Sequence, residues 1–409
     1  MNLYEDLMYR GLIKDISDPE LKDLLNNEKL TFYIGTDPTA DSMHIGHFSS
    51  FLIASRLAKY GHHPILLIGG ATGLIGDPKP SKERPMISKE QVDKNVKGLT
   101  KQAKEIFGFE VVNNYDWSKN INFVDFFRDY GKYININYML DKDIIKRRLE
   151  EGITYCEFSY MLMQAMDFVH LYEDKGVTLQ VAGSDQWGNI TTGIELARKK
   201  IDVTLHGFTM PLIVDANGVK FGKTEGNALW LDEKKTSSYE LYQYLINTDD
   251  NLVIDYLKKL TFLTKEEIEV IEKEHKKAPE NRLAQDKLAE EVITFLHGKD
   301  SFNKAKHISK VLFSGNIKEL TDDEIKEAFK SFDKLKLDNV PLIDLLVNNN
   351  IASSKREARE FINNNAIYLN GDVINDENYI INNDRKYNII RRGKKKYYIN
   401  KKKKIIKFL

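Results

Sequence analysis

Between Leu30 and Gly69 the chain alternates in a way that few folds accommodate. Leu30 to Ile34 alternates apolar with polar or aromatic residues, as a strand does. A polar loop follows. From His47 to Tyr60 there is no Gly or Pro, and Phe48, Phe51, Leu52, Ile53 and Leu57 supply a long apolar helix. Pro64-Ile-Leu-Leu-Ile-Gly69 then reads as a fully buried parallel strand. A strand-to-helix junction of this kind aims backbone N–H groups at whatever sits there, and the helix dipole favours an anion. His44 and His47, three residues apart, share a face in the first turn. Together they predict a phosphate site with movable protons.

The alternation continues. Ser88 with Gln91 reads as a capping box opening a helix to about Phe107, and Val111-Val112 is strand-like. Helices are expected over about 123–130, 142–151, 157–172 and 189–200, with strands over 177–182 and 208–214. The expected fold is α/β, a doubly wound Rossmann-like parallel sheet with its site at the strands' C-terminal ends. From Ser237 helix patterns dominate, including the capping box Thr264–Glu267. The expected domains are 1–230 (catalytic), 231–331 (α-helical), a linker over 332–340, and a small α+β domain over 341–409.

Composition narrows the setting. No stretch approaches eighteen apolar residues, and no basic-then-apolar leader opens the chain. Cys156 is the only cysteine, which removes disulfide frameworks and thiolate metal sites. A cytoplasmic protein is expected. The formal charge is zero, yet Asp338 to Leu409 carries fifteen Lys and Arg against eight Asp and Glu, or +7. This suggests a polyanion gripped by the tail, with chemistry elsewhere; a solvated basic tail accounts for the count equally well.

Three constellations accompany the histidines. Gly69-Gly-Ala-Thr-Gly-Leu-Ile-Gly-Asp77 lets a backbone pass close to a ligand with Asp77 at its edge, or is a plain glycine turn. Tyr160, Gln164 and Asp167 project from one face of a helix otherwise rich in Met and Leu, so they need polar partners, either in the core or on a ligand. Gly218-Val-Lys-Phe-Gly-Lys-Thr-Glu-Gly226 puts Lys220 and Lys223 in a glycine-bounded loop. A P-loop is excluded because Asn217 stands where the motif requires glycine and no helix follows. A mobile loop that swings two ammonium groups onto a phosphate is the functional reading, and a solvated turn the bland one.

These residues carry a family resemblance. His44-Ile-Gly-His47 resembles the signature histidine motif of class I aminoacyl-tRNA synthetases, and Lys220-Phe-Gly-Lys-Thr224 resembles the mobile lysine loop of the bacterial-type tyrosyl members. Asp37–Asp41, Gly69–Asp77, Asn114–Trp117, Phe158–Tyr160, Gly183–Asn189 and Asn247–Asp250 extend the likeness from about Asn2 to Gly315. Pro341 to about Lys396 resembles a small RNA-binding domain first described in a ribosomal small-subunit protein.

The resemblance implies a tyrosine–tRNA ligase that uses ATP, with Mg2+ on the phosphates, and tRNA(Tyr) as partner. It implies that Tyr33 and Asp167 hold the substrate phenol, that Asp77, Tyr160 and Gln164 hold its ammonium, and that Gln186 lies near its carboxylate. Asp37, Gly46, Asp185, Phe221 and Gly222 fall on the nucleotide side, with Asp185 on the ribose. Thr39, His44, His47, Arg84, Lys220, Lys223 and Thr224 surround the triphosphate. Lys79 and Lys82 are rival candidates for pyrophosphate. Lys355, Arg356 and Arg359 are the implied RNA contacts. A homodimer meeting around Asn137–Met139 and Tyr155 is also implied. A tryptophan enzyme, or an inactive RNA-binding descendant, is disfavoured by the Tyr33 and Asp167 pair and by the intact histidines and lysines.

Overall fold

The computed structural model describes residues 1–78, 84–215, 218–219, 221–224, 227–330, 335–337, 340–382, 386–393 and 396–401, with backbone alone at 143–144, 151, 223–224, 227 and 401. The chain packs as two units. One holds Met1–Thr236 and Asn247–Leu296, the other Ser237–Ile246 and His297–Leu409. The helical segment expected over 231–331 is therefore shared between them: Val253–Leu260 and Lys265–Lys277 lie in the first, Ser238–Ile246, Lys299–Ser314 and Asp322–Ala328 in the second.

In the first unit, six strands among the described residues form one sheet: β1 (Asp15–Ile16), β2 (Thr31–Thr36), β3 (His63–Ile68), β4 (Glu110–Asn113), β5 (Val177–Gly183) and β6 (His206–Met210), ordered β1-β6-β5-β2-β3-β4. β1 pairs antiparallel with β6; every other pairing is parallel. From β2 the chain winds outward to β3 and β4, then returns to the other side of β2 with β5 and β6. That reversal opens a crevice at the C-terminal ends of β2 and β5, as doubly wound sheets require. The expected strand over 208–214 stops at Met210, because Pro211 has no N–H for the ladder.

The helix Ile45–Lys59 packs its apolar face under the sheet, with Phe48, Phe51, Leu52 and Leu57 buried. Its far end is fixed by a buried ion cluster. Asp6 accepts from Arg10 at 2.8 Å and from Arg56 at 3.2 Å, and Arg56 also donates to the Thr261 carbonyl at 2.6 Å. Two arginines on one carboxylate leave a buried surplus of positive charge, and burial lowers the Arg56 pKa to about 10. At Ser88 only half of the expected capping box forms. Ser88 accepts the Gln91 N–H at 3.2 Å, but the Gln91 side chain turns along the helix to Asn95 instead.

In the second unit, a four-stranded antiparallel sheet is built from Ile367–Leu369, Asp372–Val373, Tyr387–Arg392 and Lys396–Lys401. One face covers the helices Leu342–Asn348 and Lys355–Asn363. The other shares a core with Ile308, Val311, Leu312, Leu320 and Phe329 through Tyr387, Ile389 and Ile399. Within the expected linker, the Leu335 N–H donates to the Ile399 carbonyl at 2.7 Å, so this residue belongs to the fold.

Candidate active site

The crevice is a cavity of about 1010 Å³, lined from β2, the histidine helix, the long helix Tyr155–Lys175, and the segments after β3, β5 and β6. The histidines, Thr72 and Asp77 of the glycine stretch, Tyr160, Gln164 and Asp167, and Phe221 of the lysine loop line it together, although they are up to 177 residues apart, from His44 to Phe221.

At its floor sit Tyr33 and Asp167, both 1% exposed. Asp167 accepts from Asn114 Nδ2 and from Trp117 Nε1, each at 2.9 Å. Burial still pushes its pKa up to about 7, with those two donors pulling the other way. The Tyr33 hydroxyl is buried and has no hydrogen-bond partner among the described residues. Burial, and then the Asp167 charge, hold its pKa well above the ordinary tyrosine value. A buried hydroxyl in this state is an address for an incoming polar group.

About two helical turns from Asp167, Tyr160 donates to Asp37 at 3.1 Å, and Thr72 donates to the other Asp37 oxygen at 3.0 Å. Asp77 accepts from Gln186 at 3.0 Å and from Asn189 at 3.4 Å, while Gln164 accepts from Asn189 at 3.0 Å. Burial raises the Asp77 pKa to about 6 and also raises that of Asp37. Carboxylates and carbonyl oxygens thus gather with a deficit of cations, which suits a ligand ammonium. Arg84 donates to the Asp77 carbonyl at 2.9 Å, and its charge reaches both Asp37 and Asp77.

His44 caps the histidine helix. Its Nδ1 accepts the Gly46 N–H at 3.1 Å, and His47 Nδ1 accepts the His44 N–H at 3.1 Å. The rings lie 3.9 Å apart. A Cβ on residue 46 would come within 3.0 Å of the His44 ring, so glycine is required for this cap. Desolvation, then the His44 ring, push His47 down to about 3, so it is neutral at physiological pH. With its Nδ1 occupied as an acceptor, the neutral His47 ring carries its proton on Nε2, and the His44 Nδ1 is likewise occupied as an acceptor. The His47 ring is thus a fixed hydrogen-bond donor, and the expectation of a movable proton does not hold at that ring.

The lysine loop is fastened to the same cap. Ile45 N–H donates to the Leu229 carbonyl and Leu231 N–H to the Met43 carbonyl, each at 2.8 Å. Gly222 has φ +79°, and a Cβ there would fall 1.7 Å from Ile45 Cγ2. Phe221 and Asp185 line the cavity. Lys79, Lys82 and Lys220 lie outside the described residues, as do the side chains of Lys223 and Thr224. In the second unit, Lys355 pairs with Asp344 at 2.5 Å and Arg359 with Glu377 at 2.7 Å, while Arg356 is exposed.

Four residues that received no role from sequence organise the site. Thr72 and Asn189 tie Asp37, Asp77 and Gln164 together, and Trp117 and the fully buried Asn114 hold Asp167. Asn114 also donates to Thr72 at 3.1 Å and accepts from Ala71 N–H at 2.7 Å. All four fall inside stretches that carry the family resemblance, Gly69–Asp77, Asn114–Trp117 and Gly183–Asn189, but their residue types and spacing gave none of them a role.

Comparison with known proteins agrees with this geometry. The profile of the class I tRNA synthetases for tryptophan and tyrosine matches residues 25–314, and that of a tyrosine–tRNA ligase C-terminal domain (SYY-like) matches residues 324–400. A C-terminally truncated mitochondrial tyrosyl-tRNA synthetase of Aspergillus nidulans is 33% identical, covering 76% of this chain and 94% of its own, with a TM-score of 0.68. The Coccidioides posadasii counterpart is 30% identical over 75% and 91%, with a TM-score of 0.67. The tryptophanyl-tRNA synthetase of Encephalitozoon cuniculi, 16% identical over 79% and 89% at a TM-score of 0.55, shares the fold.

Proposed function

We propose roles for the cavity residues from the premise that this chain belongs to the class I tRNA synthetases for tryptophan and tyrosine, among their tyrosyl members. It is a tyrosine–tRNA ligase: it activates tyrosine with ATP to tyrosyl-adenylate, releases pyrophosphate, and passes tyrosine to its tRNA.

The observation that carries the assignment is the buried, unpartnered Tyr33 hydroxyl beside Asp167. A substrate phenol donating to Asp167 and accepting from Tyr33 would satisfy both. Asn114 and Trp117 supply donors to Asp167, which orients its remaining lone pairs. The ammonium meets Asp77, Gln164 and the Tyr160 oxygen, whose own proton is given to Asp37. Gln186 lies toward the carboxylate, Asp185 toward the ribose.

With tyrosine held so, its carboxylate attacks the α-phosphorus and pyrophosphate leaves. Nε2–H groups of His44 and His47, the Thr39 hydroxyl, Arg84 and the loop residues Lys220, Lys223 and Thr224 meet the charge moving onto the leaving group. Catalysis is positioning and charge stabilisation, with no protein nucleophile. Among the described residues no group of three or more His, Cys, Asp or Glu is arranged to hold a metal ion. Mg2+, when present, would ride on the ATP phosphates and offset their charge.

Exposed Phe123, Phe127 and Tyr155, with ring centroids 6.0 and 6.5 Å apart in succession, form an apolar patch on the first unit that supports a homodimer, whereas Met139 is buried in the protomer core. Arg356 is the RNA contact we place first, since Lys355 and Arg359 already face carboxylates. A single cysteine fits a reducing compartment such as the cytoplasm, and among the described residues no helix is long and apolar enough to cross a membrane.

Pyrophosphate exchange with each of the twenty amino acids tests the reading. Exchange with tyrosine alone is expected; exchange driven by tryptophan in its place would overturn it.

A further inference from the structure

The helix Lys89–Gln102 carries a polar stripe that the reaction as described does not use. Gln91, Asn95, Gly98 and Gln102 are spaced four, three and four residues apart, so they lie on one face. That face meets the backbone of the Asp37–Met43 loop at successive points. Gln91 donates to Asn95 Oδ1 at 2.7 Å, which leaves Asn95 Nδ2 to donate to the Pro38 carbonyl at 2.8 Å. A Cβ on Gly98 would lie 2.2 Å from the Asp41 carbonyl oxygen, so only glycine allows this approach. Gln102 Oε1 accepts the Met43 N–H at 2.7 Å, and its Nε2 donates to Ser42 Oγ at 3.0 Å. Asp41 is also paired with Lys235, on the far side of the lysine loop.

The attachment continues past the loop. A π-helical turn, Ala103–Phe107, follows Gln102 and brings Phe107 against Phe51 and Phe48 of the histidine helix, with ring centroids 5.4 and 6.5 Å apart. π-Turns shift the register of a helix and cluster where geometry matters for function. One helix therefore grips both sides of His44, the loop before it and the helix after it.

We propose that Gln102 is a positioning residue for adenylate formation: by holding Met43 and Ser42 it sets Thr39 and the His44 cap against the ATP phosphates. The proposal rests on the functional reading given above. Asn95 does the same at the other end of the loop. Neither touches substrate. Their loss would displace phosphate-side groups while Tyr33, Asp77, Tyr160 and Asp167, which sit on other elements, keep the tyrosine pocket in place.

The test is tyrosine-dependent pyrophosphate exchange and tyrosine binding by equilibrium dialysis, on wild type, Gln102→Leu, Gln102→Glu and Asn95→Ser. Gln102→Leu is expected to lower kcat by roughly tenfold to a hundredfold, the scale of a small misplacement of reacting groups, and to raise KM for ATP. Tyrosine binding should stay within about twofold, since its pocket is untouched. Gln102→Glu keeps an acceptor for Met43 N–H and should lie closer to wild type than to Gln102→Leu. Asn95→Ser, which loses reach to Pro38, should show the same separation of ATP from tyrosine effects and serves if Gln102→Leu does not fold. Unchanged kcat in Gln102→Leu, a parallel loss of tyrosine binding, or no recovery in Gln102→Glu would each overturn the proposal. Absence of tyrosine-dependent exchange in the wild type would instead overturn the functional reading beneath it.

Discussion

Replacing the substrate tyrosine by phenylalanine removes one hydroxyl and nothing else, which isolates the pair at the cavity floor. Without it, the Tyr33 hydroxyl stays buried and unpaired, at a cost of about 1–3 kcal/mol. A hydrogen bond to the Asp167 carboxylate is also lost, about 1.5–3 kcal/mol. The two together come to about 2.5–6 kcal/mol, and at about 1.4 kcal/mol per decade this is roughly two to four orders of magnitude in kcat/KM. Water cannot repair the loss, because both residues are 1% exposed. The figure known for this enzyme family, about five orders, is a benchmark and was not obtained from this arithmetic. Exchange assays with each amino acid, purified free of the other, give the ratio directly. A ratio below tenfold would refute the reasoning, and Tyr33→Phe should narrow the ratio from the tyrosine side only.

Asp77 must be ionised to meet the ammonium, and burial raises its pKa to about 6. A raised carboxylate is protonated below its pKa, and Asp167, pushed up to about 7, must also be ionised to hold the phenol, so kcat/KM for tyrosine should be full above about pH 7 and fall as the pH drops through both values. A profile flat from pH 5 to 8 would contradict this. Gly222→Ala, forced against Ile45 at positive φ, should slow single-turnover adenylate formation while sparing tyrosine binding; equal loss of both would point to general disruption. Asp6→Asn strands two buried arginines and should cost about 3–5 kcal/mol in denaturant unfolding. Arg356→Ala should leave pyrophosphate exchange intact but weaken aminoacylation and flatten its salt dependence; identical salt slopes would remove Arg356 from the RNA surface. Cutting the chain after Phe332 is a poorer test, because it uncovers Ile308, Leu312 and Phe329.

Much of the fold was legible because its signals are local. The buried strand near His63–Ile68 read as an apolar run, Val177–Gly183 as a strand, and the stretch after His47 as a long apolar helix free of Gly and Pro. Spacing put Tyr160, Gln164 and Asp167 on one face and showed that they needed polar partners. It did not say which. Those partners, Asp37, Asn189, Asn114 and Trp117, come from three other segments, and only the strand order brings them together. Protonation followed the same division. A histidine pair is visible in sequence, but whether it carries charge depends on burial and on backbone donors that exist only once the helix is capped. The tail told the opposite story: its charge was plain from composition, yet the sharing of its sheet with the helices before it is a matter of packing. Periodicity and residue chemistry act over a few residues and survive in the sequence. Desolvation, long-range pairing and shared cores depend on which segments the folded chain makes neighbours, and those were decided by the tertiary structure alone.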